Sequence, residues 1–218
     1  MAAMLAAPAS AQQAQAQASE SGQPHYKLPM RGAPASRIGG GTRGPAADSP
    51  SVTVFAPEHT GLTVNPQPTL YWHLSKQAPV QIELTLIDEA GVKPLIEKVE
   101  KSPLTPGIHA LSLKDAGVKL SPDIEYRWHV AIVFDPKMRS SDVTSSGTIK
   151  LVAAPAGLQG KVADARTAPA AYAGEGLWYD SIESLMRLIQ ASPGDPKLKS
   201  QLDSLLAQVG LAQVGGTR

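Results

Sequence analysis

Tyr126-Arg127-Trp128-His129-Val130-Ala131-Ile132-Val133-Phe134 decides the reading of this chain. Tyr126, Trp128, Val130, Ile132 and Phe134 place large apolar side chains on every second residue. In an extended strand that period puts one set of side chains in a core and the other on the opposite face. The same rhythm occurs on both sides of this run. Val52 and Val54 flank Thr53. Leu70, Trp72 and Leu74 alternate with Tyr71 and His73. Ile82, Leu84 and Leu86 alternate with Gln81, Glu83 and Thr85, and Ile149 and Leu151 flank Lys150. Shorter apolar runs lie at Leu95–Val99 and Ile108–Leu113. Turn-forming residues separate them: Pro57 to Gly61, Asn65-Pro66, Asp88 to Gly91, Pro103 to Gly107, Ser121-Pro122 and Asp135-Pro136.

About seven short strands with no helical crossover between them predict a mainly β fold. The expected form is an immunoglobulin- or fibronectin-like antiparallel sandwich over residues 51–153. Trp72 and Trp128, mid-strand on the apolar phase, are its expected centre. Tyr71, His73 and His129 fall on the polar phase and are expected to face solvent.

Beyond Pro155 the period lengthens to about 3.6. Ile182, Leu185, Met186 and Ile189 form one stripe, and Leu198, Leu202, Leu205, Leu206 and Val209 a second. Asp195 is placed to cap the second helix, with Pro196 as its first residue and Gly210 as its stop. A shorter helix from Thr167 to Ala173 precedes them. Tyr172, Gly176, Trp178, Leu185 and Pro193 resemble one tetratricopeptide unit, with Ser181 where a small Ala is usual. One unit cannot form a solenoid. Residues 160–211 therefore read as a helical hairpin that docks on the sandwich or on a partner.

The N-terminal part differs in composition. Residues 1–11 end in Ala9-Ser10-Ala11 after a short apolar run, the small-residue pattern of a secretory cleavage site. A basic n-region is missing. The stretch is either the end of a secretory signal or an Ala-rich tail, and export to the periplasm or beyond is the expectation. Residues 12–50 hold almost no large apolar side chains and read as a flexible linker. No apolar run approaches the ~18 residues of a membrane-spanning helix. There are no cysteines, which excludes disulfides, thiolate metal sites and cysteine nucleophiles. A net charge of +1 gives no electrostatic case for nucleic acid.

No motif assembles a reactive centre. Gly39 to Gly44 fits G-x-G-x-x-G, but low-complexity sequence precedes it and Pro45 follows, where a nucleotide site needs a strand and a helix. Its glycines, with Arg37 and Arg43, instead suit an anchoring turn or the capture of an acidic group on a partner. The five histidines show no ligand spacing. No G-x-S-x-G elbow occurs, and nothing singles out Glu83, Glu125 or Asp142 as a paired carboxylate. Arg139, in the Asp135–Asp142 loop, is expected to pair with Asp135 or Asp142 and is a candidate partner contact, as such loops often are. Successive helical residues point about 100° apart, so Trp178 and Tyr179 cannot share one face. Trp178 is then the packed residue, and Tyr179 and Asp180 are candidate partner contacts. The competing reading packs both rings between helix and sandwich.

Several segments, taken in order, resemble a bacterial family designated domain of unknown function 928. They are Arg37 to Gly44; Ala56-Pro57-Glu58 with Gly61-Leu62-Thr63; Pro68 to Trp72; Tyr126-Arg127-Trp128; Asp135-Pro136 with Arg139-Ser140; and Tyr172-Ala173 with Gly176 to Asp180. The resemblance implies an exported protein and assigns no chemistry. These readings converge on a non-catalytic, cofactor-free protein-binding or scaffolding module of the bacterial envelope, serving an envelope protein partner. The alternative is a carbohydrate-binding or weakly carbohydrate-active protein, with Tyr71 or Tyr26 as the sugar platform.

Overall fold

The structure is a computed structural model that describes residues 23–28, 49–77, 81–101 and 104–215. It is a mixed α/β architecture, richer in strands than in helices. Strands β1 (Val52–Val54), β3 (Thr69–Leu74) and β6 (Gly107–Ser112) form a three-stranded sheet in the order β1-β3-β6. Strands β2 (Gly61–Thr63), β8 (Val143–Leu151), β7 (Glu125–Val133), β4 (Gln81–Asp88) and β5 (Ile96–Lys101) form a five-stranded sheet in that order. Five α-helices follow: α1 (Leu158–Lys161), α2 (Ala168–Gly174), α3 (Trp178–Ala191), α4 (Pro196–Gln208) and α5 (Ala212–Gly215).

The two-residue rhythm translates directly into layers. Ile82, Leu84 and Leu86 of β4 face Ile132, Val130 and Trp128 of β7 across the ladder, and all six are buried. Leu70, Trp72 and Leu74 of β3 join them in one apolar cluster. Trp72 and Trp128 sit at 1% and 0% exposure, the central positions expected of them.

One pairing departs from the expected antiparallel pattern. β2 runs parallel to β8, Gly61 opposite Ile149 and Thr63 opposite Leu151. The chain leaves β1 through Phe55–Thr60 and crosses from the smaller sheet to the larger. It enters the larger sheet already pointing along β8, and so pairs there without a hairpin. Val54 N–H donates to Ser145 Oγ at the crossing, and Val152 N–H donates to Thr63 O beyond the short strand.

Two polar-phase residues of β3 are not solvent-facing. Tyr71 and His73 are both buried. Helix α3 packs against β3 and covers this face beside Tyr71, while Ala110 and Ile108 of β6, on the same face, stay exposed. Beside α3, Tyr71 is raised in pKa first by burial and then by the Glu183 charge. His73 is lowered by burial, then by His109; His129, half-buried, is lowered by burial, then by Arg127. His109 stacks on the Trp72 indole at 4.5 Å between centroids.

The stretch read as linker also contains a packed segment, Gln23–Leu28. Tyr26 is buried, meets Trp178 edge-on at 4.9 Å, and its hydroxyl lies 2.8 Å from His59 Nε2. Tyr26 N–H donates to Gln208 Oε1, Gln208 Nε2 donates to Pro24 O, and Lys27 N–H donates to Ala173 O. Six residues of unremarkable composition thus strap α2, α3, α4 and the loop before β2 together. Tyr26 is therefore no exposed sugar platform.

Gly147 shows how closely the layers approach. A Cβ there would lie 2.3 Å from Ala56 Cβ and 3.1 Å from Trp128 Nε1. Gly147→Ala overpacks this point and is expected to cost about 1–3 kcal/mol in urea unfolding.

Candidate functional site

The site is built where the helices meet the sheets. Helix α2 ends in a Schellman turn: Leu177 N–H donates to Tyr172 O and Gly176 N–H to Ala173 O. Gly176 has φ +76, a conformation glycine adopts without strain, and its Cα faces Lys27 O closely enough that a Cβ would sit 3.0 Å away. This turn leads directly into α3, which packs against β2 and β3.

Walls on several sides bury Trp178, Tyr179 and Asp180 alike, against the reading that turns Tyr179 and Asp180 toward a partner and in line with the competing one that packs both rings. Each meets a different wall. Trp178 Nε1 donates to Phe55 O at 2.9 Å. Tyr179 enters the core, where its hydroxyl accepts from Trp128 Nε1 at 3.0 Å and donates to Thr148 O at 2.9 Å. Gly61 and Gly147 leave the slot open; a Cβ on Gly61 would lie 2.6 Å from Tyr179 Cε2. Asp180 Oδ2 accepts from Val64 N–H at 3.1 Å.

The other face of α3 lines a cleft of about 580 Å³. One wall is the loop after β2, Val64 to Pro66. The opposite wall comes from α2 and the segment before it, through Val162, Ala165, Ala168 and Tyr172. The floor is α3, presenting Asp180, Glu183, Ser184, Arg187 and Leu188. Glu183 is held from three sides: Asn65 Nδ2 at 3.2 Å, Thr69 Oγ1 at 3.0 Å and an Arg187 guanidinium nitrogen at 2.7 Å. Asn65 is fixed in turn, its Oδ1 accepting from Gln67 N–H. Arg187, also in the cleft lining, has a side chain 69% exposed, so its remaining N–H groups are open to solvent.

Burial pushes the Asp180 carboxyl up to about 7, against the Val64 N–H and Thr63 hydroxyl that favour its charge, with Glu183 adding to the rise. Tyr172 is raised first by burial and then by Asp180. The arrangement offers a carboxyl that gains or loses its proton near neutrality, a fixed carboxylate, an aromatic edge and a partly free guanidinium.

Of the residues singled out from sequence, Asp180 lies in this cleft and Tyr179 lies behind it. Arg139 is elsewhere: its guanidinium bridges Glu83, through contacts of 3.1 and 2.6 Å, and Asp142 at 2.6 Å. Asp142, not Asp135, is its loop partner. Arg37 and Arg43 lie outside the described residues. Glu183, Arg187, Tyr172, Asn65 and Thr69 were not singled out as site residues. Asp180, Glu183 and Arg187 do share helical spacing (i, i+3, i+7), yet such a stripe reads as an ordinary solvated face until the wall opposite is known.

No helix among the described residues is long and apolar enough to cross a membrane. No curated protein matches the chain. The family model Domain of Unknown Function (DUF928) matches residues 38–217. Covering both sheets and every helix described above, that match makes the chain a member of the DUF928 family.

Proposed function

We propose that the chain is an exported, non-catalytic binding module of the bacterial envelope whose protein partner seats a polar segment in the cleft over α3. The observation that carries this reading is the state of the cleft's polar groups. Glu183 is tied to Asn65, Thr69 and Arg187, and Asp180 to Val64, so both carboxyls are held as structural anchors rather than as free reactive groups. Arg187 is left to pair with an acidic group on the partner. Export is supported by Ala9-Ser10-Ala11 following a short apolar run. An immunoglobulin-like form of the sheets is supported by a first strand divided between them, β1 in one and β2 in the other.

Affinity capture from envelope fractions with the tagged full chain tests the proposal. A partner recovered by the chain and by Arg139→Ala, but lost with Arg187→Glu, is the expected result. Equal recovery with Arg187→Glu, or no recovery at all, contradicts it. Carbohydrate binding remains the second reading, favoured by the Tyr172 ring beside acidic groups. Glycan-array binding lost on Tyr172→Ala but kept on Arg187→Glu selects that reading instead.

A further inference from the structure

Strand β5 ends the larger sheet and, among the described residues, pairs on one side only, with β4. Its middle reads Glu97-Lys98-Val99-Glu100, and Val99 is 48% exposed. Edge strands usually avoid pairing by carrying charge. Here the charges alternate in sign, and that changes what they forbid.

Two copies of β5 pairing antiparallel about a two-fold axis keep the sheet faces aligned, so one residue lies on the axis opposite itself. Centring on Glu97 or Glu100 sets two carboxylates face to face. Centring on Lys98 sets two ammonium groups face to face. Centring on Val99 avoids a like-charge pair: Val99 meets Val99, Lys98 faces Glu100, and Glu100 faces Lys98. Centring on Ile96 avoids one too, but it sets Lys98 opposite Pro94, which has no N–H to give, and leaves the rest of the strand unpaired. Opposite charges across a ladder favour pairing and like charges oppose it, so this strand favours the Val99 register. Within one copy Lys98 and Glu100 already lie 2.8 Å apart, both reaching solvent, and each can turn to its counterpart across the axis. On the other face Val99 sits beside Glu83, whose carboxylate is paired with Arg139, a guanidinium it shares with Asp142. No unpaired charge therefore flanks the axis from β4.

We infer that the chain forms a symmetric homodimer by antiparallel β5–β5 pairing centred on Val99, joining the larger sheets of two copies. Sedimentation equilibrium of the full chain over a wide concentration range tests it. The expected result is a reversible monomer–dimer equilibrium. Lys98→Glu places a carboxylate opposite Glu100 on both sides of the axis and weakens the dimer by about tenfold or more. Adding Glu100→Lys to that variant restores opposite signs and recovers the dimer. A chain that stays monomeric throughout overturns the inference. So does a dimer unaffected by Lys98→Glu, or one that the paired exchange fails to recover.

Discussion

Tyr179→Ala is expected to lower the unfolding free energy by about 4–5 kcal/mol, among the largest effects of any single truncation in the chain. The ring fills a slot shaped by Gly61 and Gly147, and neither glycine has a side chain to fill the void its loss leaves. The hydroxyl adds to this. It is the acceptor for the buried Trp128 indole N–H and a donor to Thr148 O. Tyr179→Phe isolates that part: the ring stays, two buried groups lose their partner, and the expected cost is about 1–3 kcal/mol. Urea unfolding followed by both circular dichroism and tryptophan fluorescence measures both values. Because Tyr179 joins α3 to the sheet core, the two probes should shift together. A fluorescence transition left in place while helical signal melts early would show the helices held by something other than this residue.

The second large effect depends on pH and comes from Asp180. Burial raises its carboxyl from an ordinary 3.8 to about 7. The folded state then binds the proton more tightly than the unfolded state. Its contribution to stability is fully present below about pH 4 and is lost as pH rises through about 7. The linkage amounts to about 4 kcal/mol across that window. Asn at this position keeps an acceptor for Val64 N–H and cannot ionise. Asp180→Asn should therefore lose much less stability than the parent chain as pH rises from 4 to 8. His59, His73 and His129 are all lowered, chiefly by burial, and act on stability with the opposite sign. They are common to both chains and cancel in the difference. Urea unfolding at intervals between pH 4 and 8 gives that difference directly; parallel curves for the two chains would contradict the assignment.

The parts of this structure that could be read from the chain are those governed by local periodicity. Ile82, Leu84 and Leu86, or Tyr126 to Ile132, report a core on one side because each strand lies in a layer with two distinct faces. Asp195 caps α4 through Lys197 N–H as its residue type suggests, and Gly210, with φ +75, closes that helix. What escaped were features created by a second layer. Tyr71 and His73 alternate as an outer face should, and nothing in the strand itself signals that α3 lies against β3 beside Tyr71. Tyr26 sits in a stretch of few apolar residues, so nothing in its neighbours signals burial. For Trp178, Tyr179 and Asp180 the faces of an isolated helix mislead, because the start of α3 meets Phe55, Thr148 and Val64 on different sides. The cleft was hidden for the same reason. Asp180, Glu183 and Arg187 resemble a solvated stripe until the loop carrying Val64 and Asn65 is set against them.

All of this rests on the helices being welded to the sheets through the first turn of α3, since the cleft exists only where the two meet. A double-mutant cycle pairing Trp128→Phe with Tyr179→Phe tests that contact most directly. A coupling of about 1–3 kcal/mol between residues 51 positions apart in sequence is the expected result. Strictly additive losses would mean that the Tyr179 hydroxyl and the Trp128 indole do not meet, and that the helices lie elsewhere.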